Sequence, residues 1–179
     1  MSTTKTITQN RLKRLTDMGQ SVWLDFIQRS LIANGGFDCG LATDGDGDRF
    51  GLIDERGRFI TQLQTFALLV HYFLEVRGER GAIVRSVTMT RMVDRLGELY
   101  GCPVHETRVG FKYLGPKMME TDAMIAGEES GGSAFRGHIP ERDGVHAGLL
   151  VLDAMAKTGK PPTELLADVS GRTSTTGST

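Results

Sequence analysis

Three aspartates stand at alternate positions in a glycine-rich segment of the chain. Single glycines separate Asp44, Asp46 and Asp48. Because glycine lets the backbone curl tightly, the three carboxylates can turn inward around one ion. Ligands that are all oxygen favour Mg²⁺, Ca²⁺ or Mn²⁺ over Zn²⁺. The spacing therefore predicts a metal site, and its alternative is an acidic, solvated turn, in which these residue types are also common.

The same segment has a rival metal-binding interpretation, the calcium loop of an EF-hand. Asp44, Asp46, Asp48 and Glu55 occupy the first, third, fifth and twelfth places of such a loop. Its sixth place requires a glycine for a sharp turn, but Arg49 stands there. The flanking residues also have strand-like patterns where an EF-hand has helices. Both features count against the EF-hand.

Arg49 follows the aspartates directly. A bound cation would repel its guanidinium, unless a phosphate group binds the cation and the arginine together. The residue is therefore a candidate for phosphate binding. A solvated surface arginine is the alternative.

Two other glycine-rich segments contain candidate catalytic or ligand-binding groups. In VGFKYLG, aromatic neighbours could shield the ammonium of Lys112 and lower its pKa toward a proton-transfer role. In GEESGG, Glu128, Glu129 and Ser130 offer acceptors and a donor for the vicinal hydroxyls of a sugar. Taken alone, the two segments are also typical of an exposed lysine loop and an ordinary acidic loop.

The elements that must position these groups alternate between short β-like runs and longer helical runs. This alternation predicts an α/β fold with a mostly parallel sheet. Each glycine-rich segment follows the end of a predicted strand, where open α/β sheets bind ligands, so the three are expected to converge on one crevice. The predicted helices cover residues 10–32, 63–76, 90–100, 116–120, 145–157 and a short segment from 161, and the predicted strands cover 38–43, 50–54, 82–87, 103–108 and 122–126.

The composition argues against several classes of function. The chain has 179 residues, of which 39% are hydrophobic, and a formal net charge of −1. No basic field is present to attract nucleic acid or an anionic membrane, and no apolar stretch is long enough to span a bilayer. Cys39 and Cys102 are expected to be reduced thiols in a cytoplasmic protein. His71 is predicted to be a packed or partly exposed residue of a helix, and the other three histidines show no metal-binding spacing.

Together the motifs resemble those of the α-D-phosphohexomutases, the phosphoglucomutase/phosphomannomutase family, over about residues 36–171. LATDGDGDRFGLID is similar to the family's metal loop, VGFKYLG to its lysine-bearing loop, and GEESGG to its sugar-specificity loop; ERDGVHAGLLVLDAMA is similar to the segment that follows. The resemblance implies a three-layer α/β domain and a hexose phosphate substrate, the 1- or 6-phosphate of glucose or mannose. It also implies site roles: Mg²⁺ ligands at Asp44, Asp46 and Asp48, a phosphoryl contact at Arg49, a general acid or base at Lys112, and sugar contacts at Glu128 and Ser130.

The resemblance further implies a domain division. Residues 35–58 correspond to the end of a second domain with the metal loop, residues 59–171 to a third domain with the sugar loop, and residues 172–179 to a disordered tail. The family's phosphoserine segment, of the TASHNP type, has no counterpart in the sequence. We therefore expect the chain alone to be inactive. The alternative is a non-catalytic Mg²⁺/Ca²⁺ or sugar-phosphate binding module.

The first part of the chain does not fit that family. NRLKRLTDMGQSVWLDFIQRSLI resembles the opening helix of transaldolases, so residues 1–34 are predicted to be an appended amphipathic helix. The apolar face of an amphipathic helix is stable only when it packs against another apolar surface. Self-association through exposed apolar surface is a further prediction.

Overall fold

The computed structural model describes residues 35–174. The predicted N-terminal helix and residues 175–179 lie outside this range. The strands are β1 Gly40–Thr43, β2 Phe50–Ile53, β3 Phe59–Ile60, β4 Ile83–Ser86, β5 Val104–Thr107, β6 Ile125–Gly127 and β7 Ser133–Phe135. The helices are α1 Gln62–His71, with a π-helical continuation Tyr72–Val76, then α2 Met92–Tyr100, α3 Phe111–Glu120, α4 Gly144–Thr158 and α5 Pro162–Ser174.

The aspartate segment is the turn of a β-hairpin. β1 pairs antiparallel with β2, with Leu41 opposite Leu52, and β2 pairs antiparallel with β3. A connection of six residues cannot return the chain to a parallel position, which requires a crossover of a dozen or more. The first two predicted strands therefore form an antiparallel sheet with β3 and do not join the mostly parallel sheet.

The second sheet has four strands in the order β5-β4-β6-β7. β4 is parallel to β5 and β6, and β7 closes the sheet antiparallel to β6. Ile83 and Ile125 belong to the core that contains residues of α1, α2, α4 and α5. Val84 and Ala126, one position further along each strand, pack with α3. Because successive strand residues point to opposite faces, helices cover both faces, and the predicted three-layer α/β fold with a mostly parallel mixed sheet is confirmed.

The hairpin sheet shares its core with the helices. Phe50, Leu52 and Ile60 lie in the same buried cluster as Phe66 of α1 and Leu150 of α4. The exposed side of α4 carries a second apolar row, formed by Val145, Leu149 and Leu152. Self-association through such a surface stays a prediction, as does the division between residues 35–58 and 59–171.

Three local predictions require correction. The lysine-bearing segment is the start of helix α3, and the predicted short helix over 116–120 is its second half, because Pro116 removes only one backbone donor from the helix. Helix α5 continues through Ser174, past the predicted start of a disordered tail at 172. Arg172 forms an ion pair with Glu75 at 2.6 Å. Nη1 of Arg95 donates a hydrogen bond to the Thr173 carbonyl at 3.0 Å, and the two contacts hold the last turn of the helix. The third correction concerns β3 and β7, which were not predicted because strands of two and three residues are too short to show an alternating pattern.

Three other expectations can be compared with the structure directly. Both cysteines are free thiols. His71 is buried in α1, as predicted, and burial lowers its pKa. Within residues 35–174, no helix combines the length and the apolar character that crossing a bilayer would demand.

Candidate active site

The hairpin turn gathers the three aspartates. One carboxylate oxygen from each of Asp44, Asp46 and Asp48 lies within 4.8 Å of the others. The turn closes through a hydrogen bond from the Gly47 amide to the Asp44 carbonyl at 3.2 Å, and Gly47 has φ +76°. A residue with a side chain rarely adopts that conformation, so the glycine permits the tight curl.

Arg49 lies against this cluster. Its Nε is 2.5 Å from Oδ2 of Asp44 and 3.6 Å from Oδ1 of Asp48. Burial raises the pKa of Asp44, but the hydrogen bonds from Arg49 outweigh it and the net pKa is lowered. The pKa of Asp48 is raised, first by burial and then by the negative charges of Asp44 and Asp46, which outweigh the lowering effect of Arg142. The cluster is therefore a crowded set of negative charges that Arg49 and Arg142 only partly compensate.

The donor set of the cluster fits a hard divalent cation. Oδ1 of Asp48 is buried and accepts no hydrogen bond from the described residues. Three carboxylates face one another here, and one of them has a buried oxygen without a hydrogen-bond donor within residues 35–174. This arrangement suits Mg²⁺, which prefers oxygen ligands. The EF-hand interpretation is wrong, because strands flank the loop and Glu55, its twelfth-place residue, accepts a hydrogen bond from the Thr163 hydroxyl at 2.5 Å.

Arg142 joins the aspartate cluster to the GEESGG loop. Its Nη2 is 2.7 Å from Oδ2 of Asp48, and its Nη1 is 3.1 Å from Oε1 of Glu128. The guanidinium also lies 5.8 Å from the centroid of the Phe111 ring at the start of α3. No role was predicted for Arg142 from the sequence; its only signal was its place in the segment ERDGVHAG after the sugar loop.

The GEESGG loop presents its polar groups in two directions. Glu128 is buried, and its Oε1 accepts a hydrogen bond from the Ser130 hydroxyl at 2.7 Å as well as the contact from Arg142. Glu129 instead accepts hydrogen bonds from Ser86 at 2.7 Å and Thr88 at 2.5 Å. Burial raises the pKa of Glu129, but those hydrogen bonds outweigh it and the net pKa is lowered. Glu129 thus anchors the loop to the end of β4, while Glu128 and Ser130 lie beside Arg142.

Backbone contacts hold the two loops together. Arg49 and Gly132 form an antiparallel bridge, and the Phe50 amide donates to the Gly131 carbonyl at 3.3 Å. The Gly144 amide donates to the Gly47 carbonyl at 2.9 Å. The aspartate loop and the sugar loop therefore meet, as expected, although the aspartate loop is a turn of the separate hairpin sheet and does not follow a strand of the mostly parallel sheet.

The third segment has a different geometry from the one expected. Lys112 lies exposed on the first turn of α3, with its Nζ 5.1 Å from the centroid of the Tyr113 ring. Phe111 is buried and lies near Arg142, so one aromatic ring, and not two, flanks the ammonium. In residues 35–174, the ammonium of Lys112 makes no ion pair with the aspartate or sugar loop. Its role in proton transfer stays a prediction.

Comparisons with known proteins extend the site's resemblance to most of the chain. A sequence model of the phosphoglucomutase/phosphomannomutase α/β/α domain III matches residues 62–172. The phosphoglucomutase/phosphomannomutase of Thermococcus kodakarensis is 35% identical over 134 residues, which cover 75% of this chain and 29% of that protein. The phosphoglucosamine mutase of Maricaulis maris is 35% identical over 130 residues, which cover 72% of this chain and 29% of that protein.

A solved structure shows the same relationship. The crystal structure assigned to a phosphomannomutase of Thermus thermophilus superposes with a TM-score of 0.79 and 36% sequence identity. The match covers 83% of this chain and 34% of that one. The chain therefore spans about a third or less of the length of these relatives.

Proposed function

Because the chain belongs to the phosphoglucomutase/phosphomannomutase family, we propose that it carries the cation-binding and sugar-binding parts of a phosphohexomutase. The complete enzyme would move a phosphoryl group between two positions of a hexose phosphate, which is the reaction of an isomerase. The observation that carries the proposal is the bridge from Asp48 through Arg142 to Glu128. The bridge connects a site suited to a hard cation with a loop suited to sugar hydroxyls. A protein that binds a phosphorylated sugar uses the first for the phosphate and the second for the sugar ring.

In this proposal Asp44, Asp46 and Asp48 hold Mg²⁺. The ion, when bound, supplies positive charge that stabilises a phosphoryl group in transfer. Arg49 binds an oxygen of the same phosphate, since its side chain is about half exposed at the rim of the cluster. The N–H donors of the guanidinium form a fork that suits phosphate oxygens. A phosphate bound by both the arginine and the metal ion also explains why these two positive charges lie side by side.

Glu128 and Ser130 are proposed to bind the sugar hydroxyls. A carboxylate accepts hydrogen bonds from vicinal hydroxyls, and the serine hydroxyl can donate or accept. Arg142 is proposed to hold Glu128 in place, because the buried carboxylate requires a positive partner. Lys112 stays the candidate general acid or base.

The substrate class is proposed as a hexose phosphate without a choice of sugar. The relatives bear the names of glucose, mannose and glucosamine phosphate mutases. None of the described contacts in GEESGG distinguishes these sugars. Cytoplasmic location and the lack of nucleic-acid or membrane partners are proposed on composition alone.

Calorimetry can test the binding part of the proposal. We expect glucose 6-phosphate to bind more tightly in the presence of Mg²⁺, because the phosphate is shared between the ion and Arg49. Asp46→Asn should weaken Mg²⁺ binding and the Mg²⁺-dependent gain, whereas Glu128→Gln should weaken sugar-phosphate binding and leave Mg²⁺ binding intact. Equal sugar-phosphate affinity with and without Mg²⁺ would remove the shared-phosphate role.

A coupled assay with glucose-6-phosphate dehydrogenase tests turnover. We expect no conversion of glucose 1-phosphate by the purified chain, even with Mg²⁺ and glucose 1,6-bisphosphate, because the sequence holds no TASHNP-like serine to relay the phosphoryl group. Turnover that Asp46→Asn abolishes would contradict this and would make Ser130 the first candidate nucleophile. The competing function, a non-catalytic cation or sugar-phosphate binding module, is favoured if the chain still gives no turnover when the family's phosphoserine domain is supplied as a second polypeptide.

A further inference from the structure

A second cluster of metal-ligating side chains lies where the chain leaves β7 and enters α4. His138, Asp143 and His146 each place one ligand atom within 4.8 Å of the other two. No role was predicted for these histidines, because their spacing in the sequence matches no familiar metal motif. The fold brings them together across the turn before α4.

Asp143 is held in position by the helix that it caps. Its Oδ1 accepts a hydrogen bond from the backbone amide of His146 at 2.8 Å. Its Oδ2 lies 2.9 Å from Nε2 of His138. One oxygen therefore orients the carboxylate, and the other is presented to the histidines.

The His146 ring is positioned by the core. It lies 4.7 Å, centroid to centroid, from the ring of Phe135, which is 1% exposed. The His138 ring meets it at 5.3 Å and 88°, an edge-to-face arrangement. His138 itself is the most exposed of the three side chains, at 41%, so it can adjust to an arriving ion without disturbing the core.

We infer that His138, Asp143 and His146 form a binding site for a divalent transition metal such as Zn²⁺, separate from the aspartate cluster. Two imidazoles and a carboxylate are a donor set that Zn²⁺, Co²⁺ and Ni²⁺ accept readily. The aspartate cluster offers oxygen alone and suits Mg²⁺. The two sites thus select different metals by ligand type.

The position of this site gives it a structural consequence. Asp143 follows Arg142 directly in the chain, and the next residue, Gly144, donates its amide to the Gly47 carbonyl at 2.9 Å. An ion held by His138, Asp143 and His146 would restrain the segment that carries Arg142. The inference rests on these three side chains alone and is independent of the proposed mutase function.

The competing explanation is a simple ion pair between His138 and Asp143, with a proton in place of a metal. The two predict different behaviour for His146. An ion pair needs only His138 and Asp143, whereas a metal site loses affinity when either histidine is removed.

The test is a titration of the full chain, without a polyhistidine tag, with Co²⁺, followed by Zn²⁺ competition. Visible absorption of Co²⁺ reports the change in coordination. We expect saturable binding of one ion, which Zn²⁺ displaces and excess Mg²⁺ does not. His138→Ala and His146→Ala should each weaken binding by more than about tenfold, since even partners outside the ligand shell are worth about 10–100-fold.

Three matched variants serve as controls. His105→Ala removes a histidine on β5, Cys39→Ser removes a free thiol, and Asp46→Asn alters the aspartate cluster; all three should keep the Co²⁺ affinity. Urea unfolding of His146→Ala verifies that the variant is folded. Absence of saturable binding, or unchanged affinity in His138→Ala and His146→Ala, would overturn the inference. Loss of binding in Asp46→Asn alone would place the ion at the aspartate cluster and overturn it as well.

Discussion

The aspartate cluster and the Arg142 bridge lie at the same edge of the molecule but arise in different ways. The cluster is local, because Asp44, Asp46 and Asp48 share one hairpin turn. The bridge is non-local, because it joins Asp48 of the hairpin turn to Glu128 of the GEESGG loop through Arg142, which lies 14 residues after Glu128. A local site needs only its own turn, whereas a non-local site needs the whole edge of the fold in place.

This difference predicts that the two parts can be separated by substitution. Damage to the contact between the hairpin and the start of α4 should disrupt the bridge and spare the turn. The variants below test that separation, in order of decreasing expected effect.

Gly144→Ala should have the largest effect, because its methyl group would lie 2.5 Å from the Arg49 carbonyl oxygen and 2.9 Å from that of Gly47. Backbone atoms cannot yield as a flexible side chain can, so the hairpin must move away from α4. We expect the free energy of unfolding in urea to fall by about 1–3 kcal/mol, as is typical of overpacking.

Gly171→Ala is the matched control for that change. A methyl group there meets nothing within 4 Å, and the residue lies in helix α5. The free energy of unfolding should be unchanged or rise by up to about 1 kcal/mol, because alanine favours a helix. If Gly144→Ala and Gly171→Ala lower the free energy of unfolding by similar amounts, the close approach of Gly144 to the hairpin does not explain the loss.

Arg142→Met should separate the two sites most clearly. It leaves the buried Glu128 carboxylate without its positive partner, which we expect to cost about 1–3 kcal/mol of unfolding free energy. Glucose 6-phosphate binding should weaken, while Mg²⁺ binding, measured by amide NMR shifts over residues 43–51, should persist. Arg91→Met, a change of an exposed arginine outside the site, is the control and should leave both intact. Joint loss of Mg²⁺ and sugar-phosphate binding in Arg142→Met would break the distinction between a local and a non-local site.

Deletion of residues 1–34 is expected to have the smallest effect. The buried core of the described residues is formed by side chains between Phe50 and Val169, and the hairpin begins at Gly40. Cooperative urea unfolding should therefore persist in the shortened chain. Its loss would mean that the segment before the hairpin is needed to hold the hairpin sheet on α4.

Several properties could be predicted from the sequence because they depend on near neighbours. The alternation of short β-like and longer helical runs indicated the α/β class, and the spacing of Asp44, Asp46 and Asp48 indicated a cluster of carboxylates. Capping and hydrophobic periodicity act over a few residues, so most helices were located within a few positions. Lys112 was misplaced in a loop because proline and glycine in VGFKYLGP usually mark turns, yet the packing of Phe111 and Leu114 against the sheet sustains a helix there.

Tertiary structure alone decided which distant groups meet. Arg142 reaches both Asp48 and Glu128 because the bridge between Arg49 and Gly132 aligns the hairpin with the end of the second sheet. His138 and His146 meet because a helix cap turns the chain between them. Residue spacing reports contacts only along one element, where the geometry is periodic. Contacts between elements depend on how the shared hydrophobic core aligns the sheets and helices, and that alignment is a property of the whole chain.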